Sequence, residues 1–326
     1  MRILVTGGAG FIGSHLVDRL VADGHDVTVI DNLSVGTINN IAHHLDSERF
    51  NFVCDSILNE TTLEQLIRES DQIYHLAAVV GVKYVVEDPV GGILTNVHGT
   101  ENVLKLAYRH WVPTLIASSS EIYGKSAAVP LSEEDDRLLG PTSVGRWSYS
   151  DSKAIDEYFA FAYARKGLPV TAVRYFNVYG PRLDPRGYGS VIAKFTTQAR
   201  QGGPLTVYGD GQQTRCFTHV TDAIEGTVRA ANTPDAAGLA FNIGSNRETS
   251  VLQLSEMIRA RVNPEAAIEL ISYERIFGVP FEEARRRVPD IERAAQILGF
   301  RATVPLEDGL EKTVAWLLEK DAYVLN

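Results

Sequence analysis

The chain has 326 residues, of which 44% are apolar and 22% are charged. Its 31 lysines and arginines stand against 41 acidic residues, which gives a formal net charge of −10. This composition is typical of a globular protein, and the length predicts about two domains. The acidic charge argues against a nucleic-acid-binding surface, because neutralising phosphates requires a basic face.

The two cysteines, Cys54 and Cys216, are far apart in sequence and lack the spacing of metal ligands. We therefore expect neither a disulfide framework nor a metal site, and a reducing cytoplasm as the location. The chain does not open on a basic segment followed by a signal-type apolar segment, and it has no run of about 18 apolar residues. These features predict neither secretion nor membrane association.

The first half of the chain alternates β-branched segments with amphipathic ones, which is typical of βαβ units and a parallel sheet. Strands are predicted at Arg2–Thr6, Val27–Asp31, Asn51–Cys54, Gln72–Leu76, Thr114–Ser118 and Val170–Tyr175. Helices are predicted at Ile12–Ala22, Thr62–Glu69, Ile93–His110 and Ser150–Lys166. Gly24 ends the first helix, and Gly167 with Pro169 ends the fourth. Right-handed crossovers then place helices on both faces of the sheet.

From about Pro181 onward, glycine and proline become frequent and long loops join the helical segments. Helices are predicted there at Ser190–Gln201, Val251–Arg261 and Glu282–Arg287. The pattern predicts an α/β protein with a doubly wound, Rossmann-type parallel sheet in residues 1–180, to which a segment near 216–246 returns. Residues 181–326 are predicted to form a smaller, mixed substrate-binding domain.

A glycine-rich segment follows the first strand directly and opens the first helix: Thr6-Gly7-Gly8-Ala9-Gly10-Phe11-Ile12-Gly13. Gly7 permits a tight turn, Gly10 lets backbone N–H groups approach a pyrophosphate, and Gly13 lets the helix pack close to the strand. The helix N-terminus adds the positive end of its dipole. The segment therefore predicts a dinucleotide-binding site.

Asp31, at the end of the second predicted strand, indicates which dinucleotide is bound. Its carboxylate can accept hydrogen bonds from an adenosine ribose 2′-hydroxyl. Asn32 and Leu33 follow it, in place of an arginine that would accommodate a 2′-phosphate. The sequence therefore favours NAD over NADP.

Tyr149 and Lys153 are four residues apart in a predicted helix, so their side chains project from one face and can meet. A phenol with a pKa of about 10 is a poor base at neutral pH, and a nearby ammonium and a positively charged nicotinamide would lower that pKa. The segment Ser118-Ser119-Ser120-Glu121 lies at the carboxyl end of a predicted strand, where open α/β sheets place their ligand sites. The Tyr149–Lys153 spacing together with this serine-rich strand end favours a catalytic role for the two residues over a pair on the surface of a helix.

Motifs spread over nearly the whole chain carry a family resemblance. They are the opening Thr6–Leu16, Asp31-Asn32-Leu33, His75-Leu76-Ala77-Ala78, Ser119–Gly124, Tyr149-Ser150-Asp151-Ser152-Lys153, Arg174–Arg182, Val207–Gly211, Phe241-Asn242-Ile243-Gly244 and Arg287-Val288-Pro289-Asp290. Together they are highly specific. The chain resembles the extended short-chain dehydrogenase/reductase family, in its branch of nucleotide-sugar epimerases, dehydratases and decarboxylases.

The resemblance implies roles for a phenol, an ammonium and a hydroxyl. Tyr149 matches the family's acid/base, Lys153 the lysine that lowers its pKa and holds the nicotinamide ribose, and Ser119 the residue that hydrogen bonds with the sugar hydroxyl. Ser119 is chosen because it lies four residues before Tyr123, as the family's hydroxyl residue does. The implied cofactor is NAD, and the residues that would bind it are Gly7, Gly10, Phe11, Ile12, Gly13, Asp31, Asn32, Asp55, Ser56, Leu76, Ala77, Ala78, Tyr149 and Lys153.

The resemblance also implies a nucleotide-sugar substrate, with UDP as the preferred nucleotide. Asn177, Arg182 and Arg215 match residues on the phosphates, and Thr206 and Tyr208 match residues beside a pyrimidine. Discrete guanidinium donors suit an acidic protein that holds a pyrophosphate. From the residues alone, the two arginines could equally be salt-bridge partners, and Tyr208 could be a core residue.

The pair Ser120-Glu121 bears on which reaction follows oxidation of the sugar C4 to a ketone. Dehydratases of this branch carry Asp-Glu at that place, and the chain lacks the aspartate. The Ser-Glu pair and the segment Arg146–Ser150 resemble uronate decarboxylases. In those enzymes an arginine that assists the substrate carboxylate or its loss stands where Arg287 stands here. The resemblance thus assigns Glu121 and Arg287 to catalysis, and Ser120 and Arg287 to substrate binding.

The sequence leaves three functions open. A UDP-glucuronate decarboxylase is favoured. A UDP-sugar 4-epimerase, acting on UDP-glucose and UDP-galactose or on UDP-glucuronate and UDP-galacturonate, needs only Tyr149, Lys153 and Ser119 and room for the keto sugar to turn. An inert cofactor-binding protein is disfavoured because all three residues are present. The alternative is that Arg287 lies at the solvated end of a helix with two neighbouring arginines, where nearby glutamates balance the charge of all three.

Members of the family dimerise through the two long helices that precede and contain the Tyr and Lys, so we expect a homodimer. Apolar residues compatible with this interface are Ile93, Val97, Val103, Leu104, Ala107, Tyr158, Phe159 and Ala162. The same residues would serve equally well against the sheet.

Overall fold

A parallel sheet of seven strands lies at the centre of the protein, in a computed structural model that describes residues 1–80, 88–184, 190–277 and 284–320. The strands in these ranges are β1 (Arg2–Thr6), β2 (Asp26–Ile30), β3 (Phe50–Val53), β4 (Gln72–His75), β5 (Thr114–Ser119), β6 (Val170–Tyr175), β7 (Val178–Tyr179), β8 (Leu205–Tyr208), β9 (Thr214–Cys216), β10 (Thr218–His219), β11 (Ala240–Ile243), β12 (Glu248–Ser250) and β13 (Ile268–Ile271). The spatial order of the large sheet is β11-β6-β5-β4-β1-β2-β3, and three two-stranded sheets accompany it.

Helices cover both faces of the large sheet. Those in the described ranges are α1 (Phe11–Ala22), α2 (Glu60–Arg68), α3 (Pro89–His110), α4 (Trp147–Arg165), α5 (Val191–Arg200), α6 (Val220–Asn232), α7 (Val251–Val262), α8 (Tyr273–Phe277), α9 (Glu292–Leu298) and α10 (Leu306–Lys320). None of the helices in those ranges has both the length and the apolar character needed to cross a membrane. The predicted α/β fold with a doubly wound parallel sheet is confirmed.

The six predicted strands of the first half are confirmed to within one residue at each end. The helices there are confirmed too, but α3 begins at Pro89, earlier than the predicted Ile93. Asp88 accepts a hydrogen bond from the Gly91 N–H (2.9 Å), and Pro89 occupies the first turn, where its missing N–H costs nothing. The first turn of α3 therefore depends on capping, whereas the prediction followed the apolar periodicity that starts later.

The predicted helix Glu282–Arg287 is wrong for its described part. Residues 282 and 283 lie outside the described ranges, and residues 284–287 are not helical. The backbone there is bonded to other segments: Thr214 N–H donates to Arg285 O (2.9 Å), and Leu131 N–H donates to Val288 O (2.7 Å). These bonds hold the segment in extended form, as does an isolated parallel bridge between Leu131 and Pro289.

The segment after residue 216 adds a helix and a strand to the large sheet. Helix α6 packs against α1, and β11 pairs in parallel with β6. Strand β11 has four residues, all buried. Such a short apolar strand carries no alternation to mark it. The division of the chain into domains at residue 180 stays a prediction.

Apolar side chains fill the space on each face of the sheet. One cluster joins β1, β2 and β6 with α1, α6 and α9, and a second joins β4, β5 and β6 with α2, α3 and α4. A third cluster lies among α5, α7, α10 and strand β8. The first two clusters fix the carboxyl ends of the strands relative to one another, and those ends carry the residues of interest.

A buried ion pair connects the sheet to the segment that contains Arg287. Arg174 on β6 donates two hydrogen bonds to Glu157 on α4 (2.9 and 2.7 Å) and one to the Tyr123 hydroxyl (2.8 Å). Tyr123 in turn donates to the side-chain oxygen of Asn242 (2.7 Å). The Asn242 amide donates to Leu131 O (2.8 Å) and Asp290 O (3.0 Å). This network therefore fixes residues 287–290 against the sheet.

Replacing Arg174 with methionine tests how much the fold depends on this network. Arg174→Met leaves the Glu157 carboxylate buried without its partner, so we expect the free energy of unfolding to fall by about 3–5 kcal/mol. Arg2→Met is the matched control, because Arg2 and Asp71 form an exposed ion pair. Urea denaturation followed by circular dichroism should show a lower midpoint for Arg174→Met alone. Equal midpoints for both variants would show that the network does not stabilise the fold.

Candidate active site

The glycine-rich turn lies at the carboxyl end of β1, next to β4, where the strand order changes direction. Gly7 adopts a φ of +73°, and a Cβ on it would lie 2.6 Å from the Ala77 backbone nitrogen. A Cβ on Gly13 would lie 2.1 Å from Gly7 O. Only glycine fits both positions, so these two residues let α1 and the loop after β4 approach the turn.

Helix α1 begins at Phe11, and its cap residue Gly10 has no side chain to bind the first N–H groups. The N–H groups of the first turn, which include those of Phe11 and Ile12, have no acceptor within the helix. With the helix dipole they form a site suited to a phosphate anion. The predicted cofactor residues Gly10, Phe11 and Ile12 therefore lie where a pyrophosphate can be bound.

Asp31 directly follows β2, and its carboxylate accepts hydrogen bonds from Ala9 N–H (3.0 Å) and Leu33 N–H (2.8 Å). Burial raises the pKa of this carboxyl, although both hydrogen bonds oppose the rise. The contact with Ala9 ties the end of β2 to the glycine-rich turn. Asn32 beside it is exposed and accepts a hydrogen bond from Ser34 N–H (3.1 Å).

The remaining predicted cofactor residues occupy two loops at the same edge of the sheet. Leu76, Ala77 and Ala78 follow β4, and Ala77 N–H donates to the Thr6 hydroxyl (3.1 Å) beside the glycine-rich turn. Asp55 and Ser56 follow β3. The Asp55 carboxylate accepts hydrogen bonds from Ser56 N–H and from the side chains of Asn59 and Thr62, all at 2.7 Å. Asp55 thus also organises the start of α2.

Ser119, Tyr149 and Lys153 come from two neighbouring elements. Ser119 ends β5, and Tyr149 and Lys153 lie in the first two turns of α4, which packs on β5. The side chains of Ser119 and Tyr149 share a hydrogen bond. A groove between the starts of α3 and α4 borders Tyr149 and is also lined by Ile93. The structure therefore brings the predicted hydroxyl and phenol into contact.

The surroundings of Tyr149 raise the pKa of its phenol. Burial, followed by the negative charge of Glu121, raises the pKa of this phenol above its ordinary value, and the hydrogen bond with Ser119 opposes the rise. The Lys153 ammonium is directed to Asp156 (Nζ–Oδ2 3.0 Å). The expectation that Lys153, together with a nicotinamide, lowers the pKa of Tyr149 stays a prediction, and the structure adds that this ammonium has Asp156 as its counter-ion.

Glu121 and Arg287 form an ion pair of 2.5 Å between Oε1 and Nη1. Arg146 approaches the other carboxylate oxygen at 3.9 Å. Burial raises the pKa of Glu121, but the guanidinium groups of Arg287 and Arg146 outweigh it and bring the pKa below its usual range. Glu121 is therefore ionised at neutral pH, and it is held on the side of β5 that faces Tyr149 by the short turn Ser120–Tyr123.

Arg287 is 3% exposed, which rules out the solvated helix end for this residue. Its neighbours Arg285 and Arg286 are exposed and pair with Asp210 and Glu248. The Nε and Nη2 atoms of Arg287 are buried and have no hydrogen-bond partner among the described residues. These two donors lie on one edge of the planar guanidinium, and such an edge matches the two oxygens of a carboxylate.

Arg215 and Asn177, predicted to contact phosphates, lie close to one another. The Asn177 amide donates to the backbone oxygen of Cys216 (3.2 Å), next to Arg215 on β9. Arg215 is buried, donates to Thr214 O (2.7 Å) and Ala284 O (3.0 Å), and lowers the pKa of Glu121 through its charge. The structure therefore places Arg215 in the same charged group as Glu121.

Arg182 makes a different contact from that of Arg215. Its guanidinium pairs with Asp18 on α1 (2.6 Å), whose carboxylate also accepts hydrogen bonds from His43 and His44 (both 2.8 Å). This geometry favours the alternative of a salt-bridge partner for Arg182. Its Nη1 atom is buried without a hydrogen-bond partner among the described residues, so the phosphate role of Arg182 stays a prediction.

The two residues predicted beside a pyrimidine lie on β8. The Lys194 ammonium is 3.7 Å from the centre of the Tyr208 ring and donates to Thr206 O (3.1 Å). Gln198 binds the Thr206 side chain (2.8 Å) and backbone N–H (3.0 Å). Tyr208 is only half-buried, so it is not a core residue. Burial lowers the pKa of Lys194 to about 8.

The structure adds polar residues that the sequence reading missed. Asn96 on α3 bonds both ways with the Val79 backbone (2.8 and 3.3 Å) and donates to the Ser152 hydroxyl (3.2 Å). The sequence analysis also did not predict roles for Asp156 and Lys194. For Asn96 the available signal was a polar residue on the inner face of a helix; for Asp156 it was the i,i+3 spacing from Lys153.

Comparisons with known proteins agree with this geometry. The profile of the family described as GDP-mannose 4,6 dehydratase matches residues 4–313. A UDP-N-acetyl-alpha-D-glucosaminuronate decarboxylase of Bacillus cytotoxicus is 42% identical over 98% of each chain. UDP-glucuronic acid decarboxylase 1 of Xenopus tropicalis is 39% identical over all of this chain and 74% of its own length.

A similar fold occurs among solved structures. The UDP-glucuronic acid 4-epimerase of Bacillus cereus, in complex with UDP-glucuronic acid and NAD, is 31% identical with a TM-score of 0.88. The alignment covers 98% of this chain and 100% of the epimerase. Since the family profile spans almost the entire chain and the Bacillus cytotoxicus decarboxylase aligns over 98% of each chain, the chain belongs to the GDP-mannose 4,6 dehydratase family of extended short-chain dehydrogenases/reductases.

Proposed function

We propose that this protein is an NAD-dependent decarboxylase of UDP-linked uronic acids, with UDP-glucuronate as its substrate. The observation that carries the proposal is the buried edge of Arg287, close to the Ser119–Tyr149 pair through Glu121. A sugar carboxylate at C6 is a ligand that this edge fits. The identity to two uronate decarboxylases supports the same function.

The residues at the carboxyl edge of the sheet fit NAD. The glycine-rich turn, whose close packing requires glycine at Gly7 and Gly13, and the N-terminus of α1 would hold the pyrophosphate. Asp31 would bind the adenosine ribose, and the loops at Asp55–Ser56 and Leu76–Ala78 would flank the adenosine. When bound, NAD takes up the hydride from the sugar C4 and later returns it.

Tyr149 would take the proton of the C4 hydroxyl, with Ser119 orienting that hydroxyl. Lys153 lies one helical turn away, where it would bind the nicotinamide ribose. Because the pKa of Tyr149 is raised in the protein alone, the phenol keeps its proton there and becomes a base only when positive charge is brought near. Activity should therefore rise with pH until Tyr149 is deprotonated.

Oxidation at C4 makes the substrate a β-keto acid, because the carboxylate is attached to C5. The C5–C6 bond then breaks, CO₂ leaves, and the electron pair moves to the C4 oxygen as an enolate. A proton added at C5 restores the ketone. Arg287 would hold the carboxylate in place before this step, and Glu121 keeps Arg287 oriented through their ion pair.

The nucleotide would be held by residues of the second half of the chain. Arg215 and Asn177, which lie close together, would bind the phosphates, and the half-buried Tyr208 ring and Thr206 would contact the pyrimidine. Arg182 is assigned to its ion pair with Asp18 instead. A pyrophosphate needs guanidinium donors in a protein with a net charge of −10.

A second candidate is a 4-epimerase, favoured by the likeness to the UDP-glucuronic acid 4-epimerase of Bacillus cereus. Epimerisation requires the keto sugar to turn over in the site. A carboxylate held by a buried guanidinium opposes that rotation, which favours decarboxylation. Dehydration has less support, because Ser120 stands where dehydratases of this branch carry an acid.

The substrate assay distinguishes these reactions. We expect incubation with UDP-glucuronate to release CO₂ and give a product lighter by that mass in mass spectrometry. An unchanged mass with inverted C4 stereochemistry would identify the epimerase, and turnover of only UDP-N-acetylglucosaminuronate would shift the proposal to that uronate. No reaction with UDP-glucose, UDP-galactose or either uronate would support an inert protein.

Arg287→Ala tests the residue on which the proposal rests. We expect it to lower kcat/KM for CO₂ release at least 100-fold, about 3 kcal/mol, while NAD stays bound. Arg286→Ala is the matched control, since Arg286 is adjacent, exposed and paired with Glu248. If Arg287→Ala decarboxylates as fast as Arg286→Ala, the reason for preferring a uronate decarboxylase is removed.

We also propose a homodimer in the cytoplasm. Val103, Leu104 and Ala107, named as interface candidates, are fully buried in the core and are not available. Ile93 on α3 and Tyr158 on α4 remain exposed, at 41% and 67%. An apolar surface on two adjacent long helices is typical of a subunit interface. Cys54 and Cys216 are free thiols, which is compatible with a reducing location.

Tyr158→Glu should convert the proposed dimer to a monomer, because it places a charge on the most exposed aromatic side chain of the proposed α3–α4 interface. Leu270→Glu on β13 is the control, since Leu270 is comparably exposed at 55% but lies on a different part of the protein. Sedimentation velocity measures both. A wild-type chain that sediments as a monomer, or a Tyr158→Glu variant that stays dimeric, would contradict the proposed interface.

A further inference from the structure

A buried pair of opposite charges lies within α4, one turn after Tyr149. Lys153 Nζ donates to Asp156 Oδ2 at 3.0 Å, and the two side chains are only 4% and 1% exposed. Removing two charges from water to this extent is costly unless each compensates the other. The carboxylate thus neutralises the ammonium that the proposed reaction requires.

A line of hydrogen bonds leads from the loop after β4 to Thr100, which lies near Asp156. Ala77 N–H donates to the Thr6 hydroxyl (3.1 Å), and Thr6 contacts His75 Nδ1 (2.7 Å). His75 Nε2 contacts the Thr100 hydroxyl (2.9 Å), which lies near the Asp156 carboxylate. Burial raises the pKa of the Asp156 carboxyl, and the charge of Lys153 and the Thr100 hydroxyl oppose the rise. Burial and the charge of Lys153 lower the pKa of the His75 ring to about 3, so the ring is neutral.

A neutral His75 ring carries one N–H, so one ring nitrogen donates a hydrogen bond and the other accepts one. Because the Thr6 hydroxyl accepts from Ala77, its own proton is available for His75 Nδ1, and the ring proton is then on Nε2. That Nε2–H donates to Thr100. The Asp156 Oδ2 atom receives the Lys153 ammonium, whereas its Oδ1 atom is buried without a hydrogen-bond partner among the described residues.

The other charged groups near Tyr149 have separate partners. Glu157, next in sequence, is held by Arg174 on β6. Glu121, from the turn after β5, is held by Arg287 and faced by Arg146 and Arg215. Asp156 is the carboxylate that forms an ion pair with Lys153 among the described residues.

We propose that Asp156 is a positioning residue, which anchors the Lys153 ammonium and sets the pH at which Tyr149 releases its proton. The inference rests on the proposed function in that Tyr149 is taken as the base. Asp156 does not touch the phenol in this arrangement. It acts through Lys153, by fixing where that ammonium lies and by cancelling part of its field at Tyr149.

The expected direction of the effect follows from Coulomb's law. A phenolate at Tyr149 is stabilised by the positive charge of Lys153 and destabilised by the negative charge of Asp156. The Asp156 charge is among those that raise the pKa of Tyr149. Removing it while keeping the side-chain shape should therefore lower that pKa.

The test is Asp156→Asn, measured in two ways. In the pH profile of kcat/KM for UDP-glucuronate, we expect the acidic limb to move to lower pH by about one unit. In an ultraviolet titration of the protein, we expect one additional tyrosine to ionise at lower pH than in the wild type. That tyrosine should be absent from the double variant Asp156→Asn, Tyr149→Phe.

Control variants separate this effect from loss of charge or stability. Asp151→Asn removes a negative charge from the same helix, where Asp151 pairs with Arg137 (3.0 Å), and should leave the limb in place. Asp156→Glu keeps the charge and should also leave the limb near its wild-type position. Asp156→Ala gives the same loss of charge in a smaller side chain, should asparagine prevent folding.

The inference is overturned if Asp156→Asn and Asp156→Ala change neither the pH of the acidic limb of kcat/KM nor the pH at which the tyrosines titrate. This holds even if kcat or thermal stability falls. A shift of equal size in Asp151→Asn would overturn it as well. The ultraviolet titration needs no substrate. An enzyme inactive on UDP-glucuronate would therefore count against the proposed function, while the titration still decides the role of Asp156.

Discussion

The ion pair between Glu121 and Arg287 connects the two parts of the site. Glu121 follows the central strand β5, whereas Arg287 comes from an extended segment near the end of the chain. That segment is fixed against the sheet by backbone bonds to Leu131 and by the Asn242 amide. The guanidinium is thus buried at a defined place, with one edge engaged by Glu121 and the other edge without a hydrogen-bond partner among the described residues.

Charge is distributed around Tyr149 in two compensated pairs. On one side Glu121 is balanced by Arg287, and on the other Lys153 is balanced by Asp156. Burial and Glu121 together keep the phenol protonated in the protein alone. In the proposed reaction, a positive charge brought near this phenol would oppose the rise in its pKa and favour transfer of the proton from the sugar hydroxyl.

Local features of the sequence were enough to predict much of the fold and part of the site. The glycine-rich turn, Asp31 and Ser119 are tied to strand ends, and strand ends are marked by short β-branched segments. Arg287 was placed on a helix because three arginines follow two glutamates, but long-range bonds to Thr214 and Leu131 hold the segment extended. The resemblance implies a phosphate role for Arg182, and its ion pair with Asp18 could not be predicted because the two residues are 164 positions apart. Contacts between residues this far apart in sequence cannot be predicted from a local sequence pattern.

The affinity of the wild-type protein for two nucleotide sugars tests the central claim most directly. UDP-glucuronate and UDP-glucose differ only at C6, where one carries a carboxylate and the other a hydroxymethyl group. If the buried edge of Arg287 binds that carboxylate, isothermal titration calorimetry should show that UDP-glucuronate binds at least 30-fold more tightly than UDP-glucose, a difference of about 2 kcal/mol. Equal affinities, or tighter binding of UDP-glucose, would contradict a site built around a buried guanidinium for a uronate.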